Sequence, residues 1–263
     1  MKINKGKQRK PRRILMYGRQ GLGKSTWAAQ APGVLFINLE DGIGDIDCAS
    51  TDVLEGFVDV LACLIWLSGD KNEYQTIVID SIDWLEQLIE KAICEQHSKK
   101  SIAEFDYGKG PAFVVEKWKM VLNGLNAVRA KGKAVILLAH STIVKHSPPG
   151  VPTYEKYEPK LSKHSNALVQ EWCDEVLFCT TKVLTRTEDQ GFGKERNIAI
   201  EGSNQRIVMT TDTNFAAAKN RISLPTEMGL NFAEYAKHLA NSRGNIEGVV
   251  VNGSSKKKEV STA

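Results

Sequence analysis

The segment that most constrains this chain is the octapeptide at residues 18–25, Gly-Arg-Gln-Gly-Leu-Gly-Lys-Ser, which fits the pattern G-x-x-x-x-G-K-S at every fixed position. A short apolar run at residues 14–17 precedes it, and a helical pattern at residues 24–31 follows it. Glycines let such a turn wrap closely around a phosphate, while backbone amides and the helix N-terminus point at its charge. The motif therefore predicts a nucleotide phosphate site between a strand and a helix.

Each residue of this segment contributes to the predicted site. Lys24 should reach the β- and γ-phosphates, and the Ser25 hydroxyl should ligate Mg²⁺. We expect ATP and Mg²⁺ as the cofactors. The predicted nucleotide-binding residues are Gly18, Arg19, Gln20, Gly21, Leu22, Gly23, Lys24, Ser25 and Thr26.

Strand and helix patterns alternate through the first 140 residues. The strand patterns are at residues 14–17, 34–39, 76–79 and 135–139, and the helical patterns are at residues 24–31, 53–67, 82–96 and 112–131. This alternation predicts an α/β fold with a mainly parallel sheet flanked by helices. The strands are continuously apolar, which is typical of a sheet with both faces covered.

The pattern changes in the second half of the chain. Residues 99–111 and 141–165 are predicted to be loops, and residues 166–172 and 232–240 are predicted to be helices. Strand patterns without intervening helices are at residues 175–183, 196–200 and 206–211. We expect these three strands to form an antiparallel extension at one edge of the sheet.

Charge and length divide the chain into three parts. Its 263 residues are 42% hydrophobic and 25% charged, which suits one globular domain with tails. Residues 1–13 carry seven Lys or Arg and no Asp or Glu. We therefore predict a basic flexible arm at residues 1–13, a core at residues 14–240 and a polar disordered tail at residues 241–263.

Cysteine usage and hydropathy indicate the compartment. The five cysteines are odd in number and include no C-x-x-C pair, as expected for reduced thiols in a cytoplasmic setting. No apolar run approaches the roughly 20 residues that a membrane helix needs. We expect a cytoplasmic protein with no membrane partner.

Three polar residues that end predicted strands are candidates for catalysis together with Lys24. Asp80 closes a strand where a carboxylate can hold the Mg²⁺ shell, although the same position suits a helix N-cap. Glu40 is predicted to lie beside the phosphate loop as the catalytic base; a solvated loop acid is the alternative. His140 is predicted to sense the γ-phosphate and relay its presence to the following segment; a structural histidine is the alternative.

Taken together, these segments resemble the RecA/RadA/DnaB superfamily. Residues 36–40, Phe-Ile-Asn-Leu-Glu, look like the family strand that ends in the catalytic glutamate, and residues 77–81, Ile-Val-Ile-Asp-Ser, look like its Walker B motif. His140 departs from the glutamine usual at that position in RecA and DnaB. The resemblance covers roughly residues 12–235 and implies a RecA-like P-loop ATPase core.

Residues 218–221, Ala-Lys-Asn-Arg, resemble the K-N-R motif of RadA and the K-x-R finger of DnaB-type helicases. In those families the cations reach a neighbouring subunit's nucleotide, where they stabilise transition-state charge. The resemblance implies that Lys219 and Arg221, with Arg206 as a further candidate, act in trans within a ring or helical filament. Ordinary surface cations are the alternative.

The chain resembles phage-type RecA-like recombinases that promote single-strand annealing. The resemblance rests on its small size, its single core, the His140-Ser141 end of the fourth strand, and the pentapeptide Asp-Tyr-Gly-Lys-Gly at residues 106–110. RecA-like proteins hold single-stranded DNA with two loops, whose counterparts here are residues 99–111 and 141–165. Both interleave cations with aromatic rings, which suits phosphates and stacked bases, although solvated loops are the alternative. The predicted DNA-binding residues are Lys99, Lys100, Phe105, Tyr107, Lys109, Lys145, His146, Tyr154, Lys156, Tyr157, Lys160 and Lys163.

The resemblance implies an ATP- and Mg²⁺-dependent, oligomeric, single-stranded DNA-binding ATPase of recombination or repair, located in the host cytoplasm if the chain is of phage origin. Expected partners are single-stranded DNA, other copies of the chain, and a single-strand-binding or replication protein. A helicase or loader-type motor and a nucleotide-gated scaffold with little turnover stay open. A small-molecule kinase is disfavoured, because it would need a lid and an acceptor pocket and would leave the K-N-R pattern unexplained.

Overall fold

The computed structural model describes residues 3, 5–6, 9–182, 184–189, 195–200 and 205–243. The strands in this part of the chain are β1 (Arg13–Gly18), β2 (Val34–Asn38), β3 (Ala49–Ser50), β4 (Thr76–Asp80), β5 (Ala134–Ala139), β6 (Ser141–His146), β7 (Tyr154–Pro159), β8 (Glu175–Thr181), β9 (Leu184–Asp189), β10 (Glu195–Ile200), β11 (Arg206–Met209) and β12 (Glu227–Gly229). The α-helices there are α1 (Lys24–Ala29), α2 (Phe57–Leu67), α3 (Ile82–Gln96), α4 (Lys109–Ala130), α5 (Lys163–Trp172) and α6 (Phe232–Arg243).

Eight of the strands in these described ranges form one sheet in the order β12-β11-β8-β1-β5-β4-β2-β3. The strands from β8 to β3 run parallel, whereas β11 and β12 are antiparallel to their neighbours. The prediction of an α/β fold with a mainly parallel sheet and an antiparallel extension at one edge is confirmed, and the extension consists of β11 and β12. Strands β5 and β4 lie between β1 and β2, so Glu40 and the phosphate loop are on strands that are not neighbours, although both line the same cleft.

Both faces of the sheet are covered, as the apolar strands predicted. Along β1, Leu15 and Tyr17 pack in a core with α2, α3, α4 and α5. The alternate residues Ile14 and Met16 pack in a second core with α1 and α6. This alternation follows from the two-residue period of a strand. The parallel pairing of β8, β1, β5, β4 and β2 places their C-terminal ends at the same end of the sheet.

Helix α3 shows why a helix forms directly after β4. Its apolar side chains recur at helical spacing, and Leu85, Ile89 and Ile93 are all buried against the sheet. Ser81 is the N-cap residue in extended conformation, and it is the single residue between the end of β4 at Asp80 and the start of α3 at Ile82. The first turn of α3 is thereby held at the sheet edge where ligands of parallel α/β sheets bind.

Residues 141–165 are a hairpin and the start of a helix, so the prediction of one long loop was wrong. Strands β6 and β7 pair antiparallel, with Ser141 opposite Pro159 and His146 opposite Tyr154. The turn between them carries Pro148, Pro149 and Gly150, whose turn signal led to the prediction of a loop. The β-branched residues of β6 were the overlooked strand signal.

Several other boundaries differ from those that the sequence predicted. Residues 102–104 and 106–108 form 3-10 turns, and α4 begins at Lys109, inside the predicted first loop. Strand β8 lies parallel to β1 rather than in the antiparallel extension, and β9 pairs only with β10 in a separate antiparallel sheet within the described residues.

The core extends into both predicted tails. Arg12 forms an ion pair with Glu175, and Arg13 begins β1 and pairs with Asp174 at 2.9 Å, so the last two residues of the predicted arm are held on the core. At the other end, α6 continues to Arg243, inside the predicted tail. Residues 1–2, 4 and 7–8 of the arm, and residues 244–263 of the tail, lie outside the described residues.

No helix in the described ranges combines the length and the apolar character required to cross a bilayer.

Candidate nucleotide site

The phosphate-loop residues lie at the C-terminal end of β1 and line a cleft of about 780 Å³. Gly21 and Gly23 adopt φ angles of 76° and 92°, which disfavour residues with side chains. A Cβ at Gly18 would stand 2.3 Å from the Cys179 carbonyl oxygen, so β8 requires glycine there. These backbone requirements leave a concave loop open to a phosphate.

Most of the predicted nucleotide-binding residues meet in this cleft. Those that line it are Gln20, Gly21, Gly23, Lys24, Ser25 and Thr26. The carbonyls of Gly18 and Arg19 accept hydrogen bonds from Lys24, whereas the Leu22 side chain packs in the core on the α1 side of the sheet. The segment therefore divides between ligand-facing residues and residues that support the loop.

Lys24 is buried with its ammonium turned toward the loop. Nζ donates to the carbonyl oxygens of Gly18 at 3.1 Å and Arg19 at 3.0 Å. Burial lowers the pKa of Lys24, which Asp80 and other nearby acids partly offset. A bound phosphate would supply further negative charge and strengthen the charged form of this side chain.

Ser25 and Asp80 bring two oxygen ligands together. The Ser25 hydroxyl donates to Asp80 Oδ2 at 2.6 Å, joining α1 to the end of β4 across the intervening β5. Burial raises the pKa of Asp80, and the hydrogen bond from Ser25 opposes the rise. Hydroxyl and carboxylate oxygens suit Mg²⁺, which would complete its shell with phosphate oxygens and water. The residues present therefore fit a Mg²⁺–nucleotide complex.

Glu40 and His140 line the same cleft from the ends of β2 and β5. Burial raises the pKa of the half-buried Glu40, while His140 and Lys24 lower it. A raised pKa brings a carboxylate closer to the range in which it can accept a proton from water near neutral pH. The arrangement is chemically suited to a general base, and the catalytic role of Glu40 stays a prediction.

His140 is fixed by a buried carboxylate that the sequence analysis overlooked. The Asp83 carboxylate accepts from the His140 backbone amide at 3.0 Å and lies 2.8 Å from Nδ1 of its ring. This side-chain hydrogen bond raises the pKa of His140. Burial would raise the pKa of Asp83, but the hydrogen bonds from His140 outweigh it, so the net pKa is lowered.

Glu86, one helical turn after Asp83, holds the other end of the hairpin. Its carboxylate accepts from the Ser162 backbone amide at 2.7 Å, the Ser162 hydroxyl at 2.9 Å and Trp118 Nε1 at 3.3 Å. The sequence signal was available, because Glu86 falls in the buried stripe between Ile82 and Ile89, where a carboxylate needs partners. Asp83 and Glu86 thus anchor residues 140 and 162, on either side of the β6–β7 hairpin.

The three predicted trans cations lie at opposite ends of the strands: Lys219 and Arg221 near the start of β8, and Arg206 near its C-terminal end. Lys219 bridges to Val176 near the start of β8, and its Nζ donates to carbonyls at the end of α5, including Cys173 at 2.7 Å. Arg221 is half exposed and lies 3.4 Å from Asp174. Both are therefore remote from their own cleft, and contact with a neighbour stays a prediction. Arg206 instead lines the cleft of its own chain.

Four of the predicted DNA-binding side chains are engaged within the fold. Phe105 packs against His97 and Phe113, and Tyr157 stacks on Phe178 at 5.1 Å. Lys156 is buried and donates to both oxygens of Asp212, at 2.8 and 2.9 Å. His146 lies 2.6 Å from Glu158. These contacts join residues that are far apart in the chain or on paired strands, so the sequence pattern did not show them, and DNA binding by these four residues stays a prediction.

The other predicted DNA-binding residues leave more surface free. Tyr154 stacks on His146 and is half-buried, while Tyr107 is 98% exposed. The exposed cations are Lys99, Lys100, Lys109, Lys145, Lys160 and Lys163. Ile143, Val144 and Val151 add exposed apolar surface to the hairpin.

Together, the phosphate loop, the Ser25–Asp80 pair and the parallel sheet define a P-loop nucleotide-binding domain. Residues 10–222 match the AAA domain family designated AAA_24, and the chain belongs to this family. The match extends from β1 to β11 and so includes all the residues that line the cleft. The prediction of a P-loop ATPase domain is thereby confirmed at the level of the family.

A similar curated protein is the SPbeta prophage-derived uncharacterized protein YorG of Bacillus subtilis (strain 168). It is 25% identical over 174 residues, which cover 64% of this chain and 50% of YorG. The matched region thus spans about half the length of this relative.

Two solved structures resemble the chain over most of its length. The RadB recombinase gives a TM-score of 0.45 at 10% identity, covering 82% of this chain and 85% of that one. The KaiC-like protein PH0186 from Pyrococcus horikoshii OT3 gives a TM-score of 0.38 at 13% identity, covering 76% and 79%.

Proposed function

We propose that this chain is an ATP- and Mg²⁺-dependent ATPase that binds single-stranded DNA as an oligomer in DNA recombination or repair, with single-strand annealing as its activity on DNA. The observation that carries this proposal is the position of His140. Its side chain lines the nucleotide cleft, and the next residue begins the β6–β7 hairpin. A movement of His140 in response to the γ-phosphate would therefore act directly on the first residue of the hairpin, the surface proposed to bind DNA.

Helix α3 supports this coupling. It begins two residues after Asp80, the predicted Mg²⁺ ligand, and its Asp83 and Glu86 bind the two ends of the hairpin. A shift of the first turn of α3 on nucleotide binding would move both ends together. Such a two-ended attachment transmits a local change more directly than a flexible loop would.

The exposed hairpin surface suits a single strand. Lys145 and Lys160 can meet phosphates, and the exposed side chains of Ile143 and Val144 can contact bases. Tyr107 offers an exposed ring on another segment, where a stacked base contributes about 1–3 kcal/mol. Hydrolysis stimulated by such binding would release the strand.

The placement of the K-N-R segment supports the proposal of self-assembly. Lys219 and Arg221 lie near the start of β8, whereas the phosphate loop adjoins its end at Cys179. Only a neighbouring copy could present its nucleotide to Arg221. The prophage-derived relative fits a phage-encoded function in the host cytoplasm, with a single-strand-binding or replication protein as a further partner.

Binding of a fluorescent single-stranded oligonucleotide in the presence of MgATP tests the proposal. We expect the double variant K145A/K160A to bind more weakly, and its log–log salt slope to fall by roughly 0.7 for each phosphate that is no longer neutralised. K119A, an exposed lysine on α4, is the matched control. Equal affinity and slope in the double variant and the control would contradict the hairpin assignment.

A further inference from the structure

Arg206 lies over the phosphate loop of its own chain because of the direction of β11. This strand runs antiparallel to β8, and its first residue, Arg206, is opposite Thr181 near the C-terminal end of β8. Gly18, where β1 enters the loop, is paired with Cys179 on the other side of β8. Because β11 runs antiparallel to β8, Arg206 lies at the end of the sheet where the phosphate loop begins.

The distance between the two elements is short. A Cβ built on Gly23 would stand 3.1 Å from Arg206 Nη1, so the guanidinium lies directly beside the loop backbone. Arg206 lines the cleft together with Lys24 and Glu40. Replacement of Gly23 by a residue with a side chain would therefore displace this guanidinium as well as strain a φ angle of 92°.

Arg206 differs from the arginines at the other edge of the sheet. Arg12, Arg13, Arg129 and Arg221 each form an ion pair with Asp174 or Glu175. Within residues 9–182 and 205–243, the structure records no carboxylate at ion-pair distance from Arg206. An exposed guanidinium at the mouth of an anion-binding loop is suited to phosphate oxygens, which it can bind in a bidentate manner.

We propose that Arg206 binds the phosphate chain of the nucleotide held by its own chain, in cis, rather than that of a neighbour. This inference rests on the proposed nucleotide binding and adds a residue to it. It also gives Arg206 and the K-N-R segment different roles. Arg206 binds the nucleotide of its own chain, and Lys219 and Arg221, at the other end of β8, remain candidates for contact between copies.

Equilibrium binding of N-methylanthraniloyl-ATP with Mg²⁺ tests the contact. We expect R206A to bind about ten-fold more weakly than the native chain, because the charge-assisted hydrogen bond to phosphate is removed. R206K, which keeps the charge without the planar fork, should fall between them. K182A, at a lysine just after the end of β8 and outside the cleft, should bind like the native chain.

The outcomes separate this inference from the proposed function. Failure of the native chain to bind the nucleotide would contradict the proposed function itself. Binding by the native chain that R206A retains in full would overturn only the role of Arg206. Circular dichroism of R206A, whose substituted side chain is exposed, checks that the fold is kept.

Mixed assemblies distinguish cis from trans. R206A copies lack the arginine, and K24A copies lack the loop lysine but carry Arg206. If Arg206 acts in cis, every site in a mixture lacks one of the two groups, and ATP hydrolysis stays at the level of the separate variants. Recovery of hydrolysis on mixing would show that Arg206 serves a neighbour and would overturn the inference.

Discussion

At the level of single residues, the side chains predicted to bind the nucleotide differ in their packing from Glu40, the residue predicted to activate water. Lys24 and the Ser25–Asp80 pair are fixed by hydrogen bonds of 2.6 to 3.1 Å. The Glu40 side chain lines the cleft half-buried, with a raised pKa caused first by burial. Because Glu40 is not part of these hydrogen bonds, it can be substituted while Lys24, Ser25 and Asp80 keep their positions.

The variant E40Q should keep MgATP binding and lose hydrolysis by about 10²–10⁴-fold, because an amide cannot accept the proton from water. Phosphate release and nucleotide binding measured on the same preparation give both quantities. D45N, at an exposed acid in the following loop, is the control. Strand annealing that persists in E40Q would favour the nucleotide-gated scaffold, since a scaffold needs no turnover.

His140 makes stability depend on pH. Its pKa is raised above the usual 6.5 by the hydrogen bond to Asp83, so the folded chain binds more protons than the unfolded chain above that pH. The stabilisation is fully present below pH 6.5 and is lost as pH rises through the folded pKa. Urea unfolding of the native chain and H140Q between pH 6 and 9 should show this component only in the native chain. Parallel pH profiles for the two would contradict it.

At the scale of elements, the β6–β7 hairpin depends on the first two turns of α3. The buried Glu86 accepts three hydrogen bonds, two of them from Ser162. Sequence patterns located the helix, because its apolar period is regular. They did not reveal the hairpin, because the Pro and Gly residues of its turn were interpreted as part of a long loop. The pairing of β6 with β7 also depends on contacts with the rest of the fold.

We expect E86Q to loosen the hairpin, because an amide offers one acceptor oxygen where the carboxylate offers two, at a cost of about 1–3 kcal/mol for a donor left unpaired. Backbone hydrogen exchange in residues 141–160 should become faster. E90Q, one turn further along the same helix, is the matched control. Unchanged protection of the hairpin in E86Q would show that Glu86 does not anchor it.

At the scale of the whole molecule, sequence reasoning succeeded where local pattern and fold agree. The phosphate loop, the Walker B strand and the flanking helices each carry a short-range signal, so their meeting at one sheet edge could be predicted from parallel topology. The position of Arg206 could not, because it depends on the reversal of β11 against β8. The engagement of Lys156 with Asp212 depends likewise on residues 56 positions apart.

We propose that the nucleotide cleft and the β6–β7 hairpin are coupled. Measurement of ATP hydrolysis by the purified chain, at one low salt concentration with and without single-stranded DNA, is the sharpest test of this coupling. We expect single strands to stimulate hydrolysis in the native chain, and K145A/K160A to lose the stimulation but keep the DNA-independent rate. An equal rate with and without DNA would show that the two sites are not coupled and would favour a loader that acts through a protein partner.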